Sequence, residues 1–110
     1  MLLADRLSGG GGESPFTLLA QFQQSTAGTG NTNIYVDTTP YNEFYIEFYL
    51  ADAVIIPFYI PYSTIKRETR YRPTYNAGKE YADIAIYDTY VAISITCTDY
   101  TGSRVKVYGR

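Results

Sequence analysis

The sequence predicts an all-β fold, an antiparallel β-sandwich of about seven strands, with a small closed β-barrel as the alternative architecture. Three observations predict it. Apolar residues recur at every second position through most of 16–108, which is the period of a half-buried strand and not of a helix. The chain carries 13 Tyr and 5 Phe with no Trp, a bias towards side chains that suit a pleated sheet. Clusters of Gly, Asn, Asp, Thr and Pro separate the alternating runs, as turns between strands require.

A length of 110 residues suits one packed domain and is too short for two. The chain divides into a Gly-rich N-terminal segment, 1–15, and a β-sandwich domain, 16–110. The glycine run at 9–12, flanked by Ser8, Glu13 and Ser14, has the composition of a flexible linker. Leu2, Leu3 and Leu7 ahead of it have the spacing of one turn of apolar helix face, so 1–7 reads either as an anchor peptide tethered to the domain or as a disordered terminus.

The first strand is expected over 16–22, with Phe16, Leu18, Ala20 and Phe22 on one face and Thr17 and Gln21 on the other. The Gly, Thr and Asn stretch at 25–33 reads as a loop. A short strand follows at 34–37, where Ile34 and Val36 alternate with Tyr35 and Asp37. After Pro40 the clearest alternation in the chain puts Phe44, Ile46, Phe48 and Leu50 on one side and Glu43, Tyr45, Glu47 and Tyr49 on the other. The next run, 54–62, turns Val54, Ile56, Phe58 and Ile60 inward. Pro57 and Pro61 lie four residues apart and so remove N–H donors from one lateral side, which places this strand at a sheet edge.

The alternation lapses over 63–78, the longest expected loop and the one basic cluster, with Lys66, Arg67, Arg70 and Arg72 among Tyr71 and Tyr75. It returns at 80–87 with Ala82, Ile84 and Ile86 inward, and at 90–98 with Val91, Ile93, Ile95 and Cys97 inward. Asp88-Thr89 reads as a hairpin turn, and 99–103 as another in which Gly102 supplies a positive φ. Val105 and Val107 form the last inward pair.

A formal net charge of -2 and a pI near 4.9 speak against a nucleic-acid partner, which selects a basic face. The three apolar residues at 1–3 are too few for a signal-peptide core, and no run reaches membrane-spanning length, so a soluble chain with no export signal and no membrane partner is expected. Cys97 is the single cysteine and histidine is absent. Intrachain disulfides, cysteine metal sites and every Ser-His or Cys-His nucleophile are thereby excluded, and neither a catalytic residue nor a metal or cofactor is expected. Glu43 and Glu47 share a strand face and make a carboxylate pair conceivable, but acids on an outward face, like Asp83 and Asp88, read as ordinary solvated residues. Cys97, on the apolar parity, reads as a small buried hydrophobe.

Tyrosine stands on the other parity. Tyr35, Tyr45, Tyr49, Tyr81, Tyr87, Tyr90 and Tyr108 all fall opposite the apolar residues, so the sheets are expected to present phenol rings outward. Such rings bury area and keep a hydrogen bond, which suits protein interfaces, and they also stack on sugar faces. Cross-strand Tyr pairs that only stabilise exposed sheet are the plain alternative. Tyr35, Tyr45, Tyr49, Tyr81 and Tyr87 are therefore interface or ligand candidates, together with Arg67, Arg70 and Arg72 of the basic loop.

The segments Asn33-Ile-Tyr-Val-Asp37, Glu43-Phe-Tyr-Ile-Glu-Phe48, Ile56-Pro-Phe-Tyr-Ile-Pro61 and Val105-Lys-Val-Tyr-Gly109, with a Pro-Tyr turn between the first two, carry a family resemblance. Together they resemble small β-sandwich domains of tailed-bacteriophage virion proteins of the tail, fibre and head-decoration types. The resemblance implies a non-enzymatic structural component located in the virion, assembling with copies of itself, with a trimer favoured, and with other virion proteins. The alternative is a carbohydrate-binding module that recognises a glycan through exposed tyrosines. The two differ in the shape of the tyrosine surface. A broad flat patch suits assembly, and a concave cluster beside Asp, Asn or Arg suits sugar.

Overall fold

A computed structural model describes residues 15–61 and 69–110 of the chain. Among the described residues, β1 (Thr17–Gln24), β2 (Gly28–Tyr35), β3 (Phe44–Leu50), β4 (Val54–Ile60), β5 (Arg70–Tyr71), β6 (Thr74–Tyr75), β7 (Glu80–Ile86), β8 (Tyr90–Cys97) and β9 (Ser103–Gly109) form two antiparallel sheets. One sheet runs β1-β9-β3-β4. The other runs β2-β8-β7-β5, with β6 also pairing β7. The sheets do not close on each other, so the barrel alternative gives way to the sandwich.

The inward parities drive this packing. Phe44, Ile46, Phe48 and Leu50 from β3 meet Ile84, Ile86, Val91, Ile93 and Ile95 from the other sheet, all at 1% exposure or less. Val105, Val107 and Cys97 complete the same core, and Ile56 and Phe58 of β4 pack against it half-buried. Removing this apolar area from water is the main stabilising term.

Four expectations are corrected. The Gly, Thr and Asn stretch read as a loop at 25–33 is mostly β2, which pairs with β8 without interruption from Gly28↔Cys97 to Tyr35↔Tyr90. Pairing with a strongly apolar neighbour overrides the weak strand propensity of Gly and Asn. The long basic loop contains β5 and β6, which raises the expected seven strands to nine. The segment 99–103 is no hairpin: β8 and β9 belong to different sheets, so it carries the chain across the sandwich, with Gly102 at φ 72° as expected. In β1 the register shifts between Leu18 and Ala20. That bulge resets the side-chain parity, so Ala20 and Phe22 join the core while Leu18 is exposed and Phe16 packs on the outer side with Tyr45 and Tyr108.

The edge position of β4 agrees with the proline argument at Pro57, whereas Pro61, expected inside the strand, falls just past its end. β4 pairs β3 alone among the described residues, with Pro57 opposite Glu47. The Asp88-Thr89 hairpin also forms, closed by Tyr87 N–H donating to Tyr90 C=O at 2.9 Å. Gly109 of the terminal Tyr-Gly pair is required by packing: a Cβ there would lie 2.8 Å from Leu19 Cδ1 and 2.9 Å from Tyr41 Cγ.

Candidate functional site

The outer face of the β8 sheet is built in rows by the strand register. Tyr35 lies across from Tyr90, and Tyr90 from Tyr87 at the hairpin. The next row is Asn33, Ala92, Ala85 and Arg70, and the third is Asn31, Ser94 and Asp83. In the fourth, Thr29, Thr96 and Tyr81 stand beside Thr74. Ala92, Ala85 and Ser94 in the second and third rows are small beside Tyr35, Tyr90 and Tyr87 of the first and Tyr81 of the fourth, which leaves a depression over them. The result is a groove of about 360 Å³ whose lining includes Asn31, Asn33, Arg70, Asp83, Tyr87 and Ser94.

Aromatic stacking sets the first wall. Tyr87 and Tyr90 lie face to face with centroids 4.4 Å apart and planes 10° from parallel, and Tyr35 tilts against Tyr90 at 5.6 Å. On the other side, Asp83 of the lining belongs to an ionic assembly. Arg72 donates through Nε to Asp83 Oδ1 at 2.6 Å and through Nη2 to Oδ2 at 2.9 Å, while its guanidinium covers the Tyr81 ring at 4.3 Å. The bond to Asp83 holds the Arg72 guanidinium above its ordinary pKa. Arg70 Nη1 stands 3.9 Å from Asp83 Oδ2, beyond hydrogen-bonding reach. Asp83, expected to be a solvated acid, is buried because it is the hub of this assembly.

The outer face of the β3 sheet is a different surface. Tyr45, Tyr49 and Tyr108 lie on the expected parity, yet they are 1%, 6% and 4% exposed. β3 and β9 are the two central strands, so their outer side chains are flanked from both sides and parity alone does not expose them. Phe16 lies 6.0 Å from Tyr45, Tyr108 lies 6.2 Å from Tyr45, and Arg104 covers Tyr49 at 4.2 Å. Tyr45 and Tyr49 are therefore buried within the chain, which corrects the expectation that their rings are presented outward.

The carboxylates of that face are committed to structural partners. Glu47, expected to be solvated, is fully buried and accepts a hydrogen bond from the Tyr49 hydroxyl at 2.8 Å. Burial first, then the bond to Glu47, pushes the Tyr49 phenol up to about 12. Burial likewise raises Tyr45, with the charge of Glu47 adding to it. Glu43 accepts from the Tyr59 hydroxyl and from Arg110 Nε and Nη2 at 3.2 and 3.3 Å. The Tyr59 bond pulls the Glu43 carboxyl below its usual range, burial opposes it, and Arg110 adds to it.

Of the sequence candidates, Arg70 and Tyr87 line the groove, Arg72 and Tyr81 lie outside its lining and reach it only through the Arg72 bonds to Asp83, and Tyr35, 77% exposed, packs on Tyr90. Arg67 and the anchor candidates Leu2, Leu3 and Leu7 lie outside the described residues. Asn31, Asn33 and Ser94 were not singled out from the sequence. The signal for them was an Asn-x-Asn period of two at 31–33, masked by its loop-like composition. Cys97 is buried, as its parity indicates, with Sγ 3.4 Å from Ser103 Oγ, and burial raises its thiol pKa.

Among the described residues no three His, Cys, Asp or Glu side chains are grouped to hold a metal ion, and no helix is long and apolar enough to cross a membrane. No family model, curated protein or solved structure matches the chain.

Proposed function

We propose that this β-sandwich is a non-enzymatic recognition module that binds carbohydrate in the groove of the β8 sheet, in the setting of a phage virion protein that its strand pattern resembles. The observation that carries the reading is the concave row structure, which places the Tyr87 ring beside Asn31, Asn33, Ser94 and Asp83 in one open trough. Sugars present hydroxyl groups around an apolar ring face. Fixed amide, hydroxyl and carboxylate groups beside an aromatic ring match that chemistry. Binding rather than catalysis is supported by the engagement of Glu43 and Glu47, whose oxygens accept hydrogen bonds from Tyr59, Arg110 and Tyr49.

The test is retention of the labelled chain on an array of neutral and acidic glycans, compared with an Asn33→Ala/Tyr87→Ala variant. The reading predicts selective retention by the wild-type chain and its loss in the variant. Failure to retain any glycan, or equal retention by both proteins, would overturn it.

Assembly with further copies is favoured by a separate observation, the edge of β2. Segment 28–35 contains neither proline nor charge, whereas the β4 edge is blocked by Pro57. Unguarded edges pair with other strands. Val36 N–H donates to Thr89 C=O at 3.1 Å, so by alternation the amides of Asn31 and Asn33 face away from β8. Asn33→Pro removes one outward donor and leaves the β8 ladder intact. Light scattering should then report multiples of 12.4 kDa for the wild-type chain and a reduced mass for the variant; a wild-type monomer at high concentration would remove this reading.

A further inference from the structure

We infer that the groove selects acidic sugars, uronates or sialates, with Arg70 pairing with the ligand carboxylate; this rests on the carbohydrate reading of the same groove. The argument is one of charge and geometry. Arg70 and Asp83 are the only charged residues lining the groove among the described residues, and Asp83 is already neutralised by the two hydrogen bonds from Arg72 at 2.6 and 2.9 Å. Arg72 is held further by the Tyr81 ring beneath it. Two guanidinium groups thus face one carboxylate, and the second positive charge is left over.

That charge is Arg70. Its side chain is 74% exposed against 52% for Arg72, and its approach to Asp83, 3.9 Å, is electrostatic contact without a hydrogen bond. A guanidinium presents a planar fork of donors matched to a carboxylate, and a bidentate pair of this kind is among the stronger polar contacts available. β5 fixes where the fork sits. Arg70 is paired with Ala85, so it projects over a small residue in the same row as Asn33. A sugar ring lying on the row between Tyr87 and Ser94 would set its hydroxyls on Asn31 and Asn33 and an equatorial carboxylate towards Arg70.

Asp83, beside Arg70, does not cancel this role. Its buried carboxylate repels an anion at contact distance, but its charge is compensated by Arg72, and Arg70 lies on the more exposed side of the pair. A neutral sugar leaves the Arg70 donors to water. An acidic one replaces that water with a charge-assisted pair.

The experiment is calorimetric titration of the full chain with oligoglucuronate, with a sialyl-oligosaccharide, and with the same oligoglucuronate after reduction of its carboxyls to alcohols. At least one acidic ligand should bind about tenfold or more tightly than the carboxyl-reduced polymer, the factor expected of a charged hydrogen-bonded pair. Arg70→Gln, a substitution at an exposed position, should abolish that preference, so that the variant's affinity for the acidic ligand falls to its affinity for the reduced polymer. Equal affinity of the wild-type chain for acidic and reduced ligands would overturn the assignment while leaving carbohydrate binding in place. Retention of the preference in Arg70→Gln would overturn the role of Arg70. Absence of binding to all three ligands, with the glycan array also blank, would overturn both readings.

Discussion

The Tyr49 hydroxyl donates to the Glu47 carboxylate at 2.8 Å on the outer side of the β3 sheet, with both side chains buried. A carboxylate in that position depends on its donors, because an unsatisfied buried acceptor bears its full desolvation cost. Tyr49→Phe keeps the ring and removes the donor. It should destabilise the fold by about 1–3 kcal/mol in urea unfolding. The wild-type chain should also lose stability in alkali. The folded phenol is raised to about 12 from an ordinary 10.0, so its contribution is fully present below pH 10 and is lost as pH rises through 12. The variant should lack that part of the alkaline decline.

Glu80 governs the acid limb. Its carboxylate is buried and accepts from Thr98 N–H at 2.9 Å and from Thr98 Oγ1 at 2.7 Å. Burial raises its pKa, but these bonds outweigh burial and hold the folded value below the ordinary 4.5. A lowered folded pKa means stability present above 4.5 and lost as pH falls below it. Glu80→Gln should be less stable than wild type at neutral pH, and the difference should narrow in acid, measured as urea midpoints from pH 7 downward.

Gly109 is a packing requirement. An added Cβ would meet Leu19 and Tyr41 at 2.8 and 2.9 Å, and the strand is paired with β1 and β3 on its two sides, so the backbone has little room to yield. Gly109→Ala should cost about 1–3 kcal/mol, the range for overpacking. Equal thermal midpoints for the two proteins would show that Tyr41 moves aside freely.

Ile93 lies in the middle of the core on the central strand β8, 1% exposed. Ile93→Ala should cost about 2–5 kcal/mol. A half-buried, outward-facing control in the same strand, Thr96→Ala, should change stability by less than about 0.5 kcal/mol apart from its hydroxyl contact with Thr29.

The core was legible in the sequence because a period of two is all that a sandwich interior demands: the inward positions of β3, β7, β8 and β9 fell where the alternation put them. Pro57 likewise carried its own edge signal. β2 was hidden because Gly28, Gly30, Asn31 and Asn33 have turn chemistry, and only the partner strand makes them strand. Tyr45 and Tyr49 were misjudged for a related reason. Parity tells which side a ring faces, whereas its exposure depends on the strand's place in the sheet, which a single sequence does not encode locally. The groove was half visible: Arg70 and Tyr87 came from the basic loop and the tyrosine parity, but their convergence with Asn31 and Asn33 is a product of register across four strands.

Carbohydrate binding in the β8 sheet is tested most directly by amide NMR of the isotope-labelled chain, titrated with a neutral hexose oligomer and with a uronate oligomer. Saturable shifts are predicted at Asn31, Asn33, Asp83, Tyr87 and Ser94, with the outer face of the β3 sheet around Tyr45 and Tyr49 unmoved. Absence of shifts with both oligomers, or shifts confined to the β3 sheet, would contradict the account.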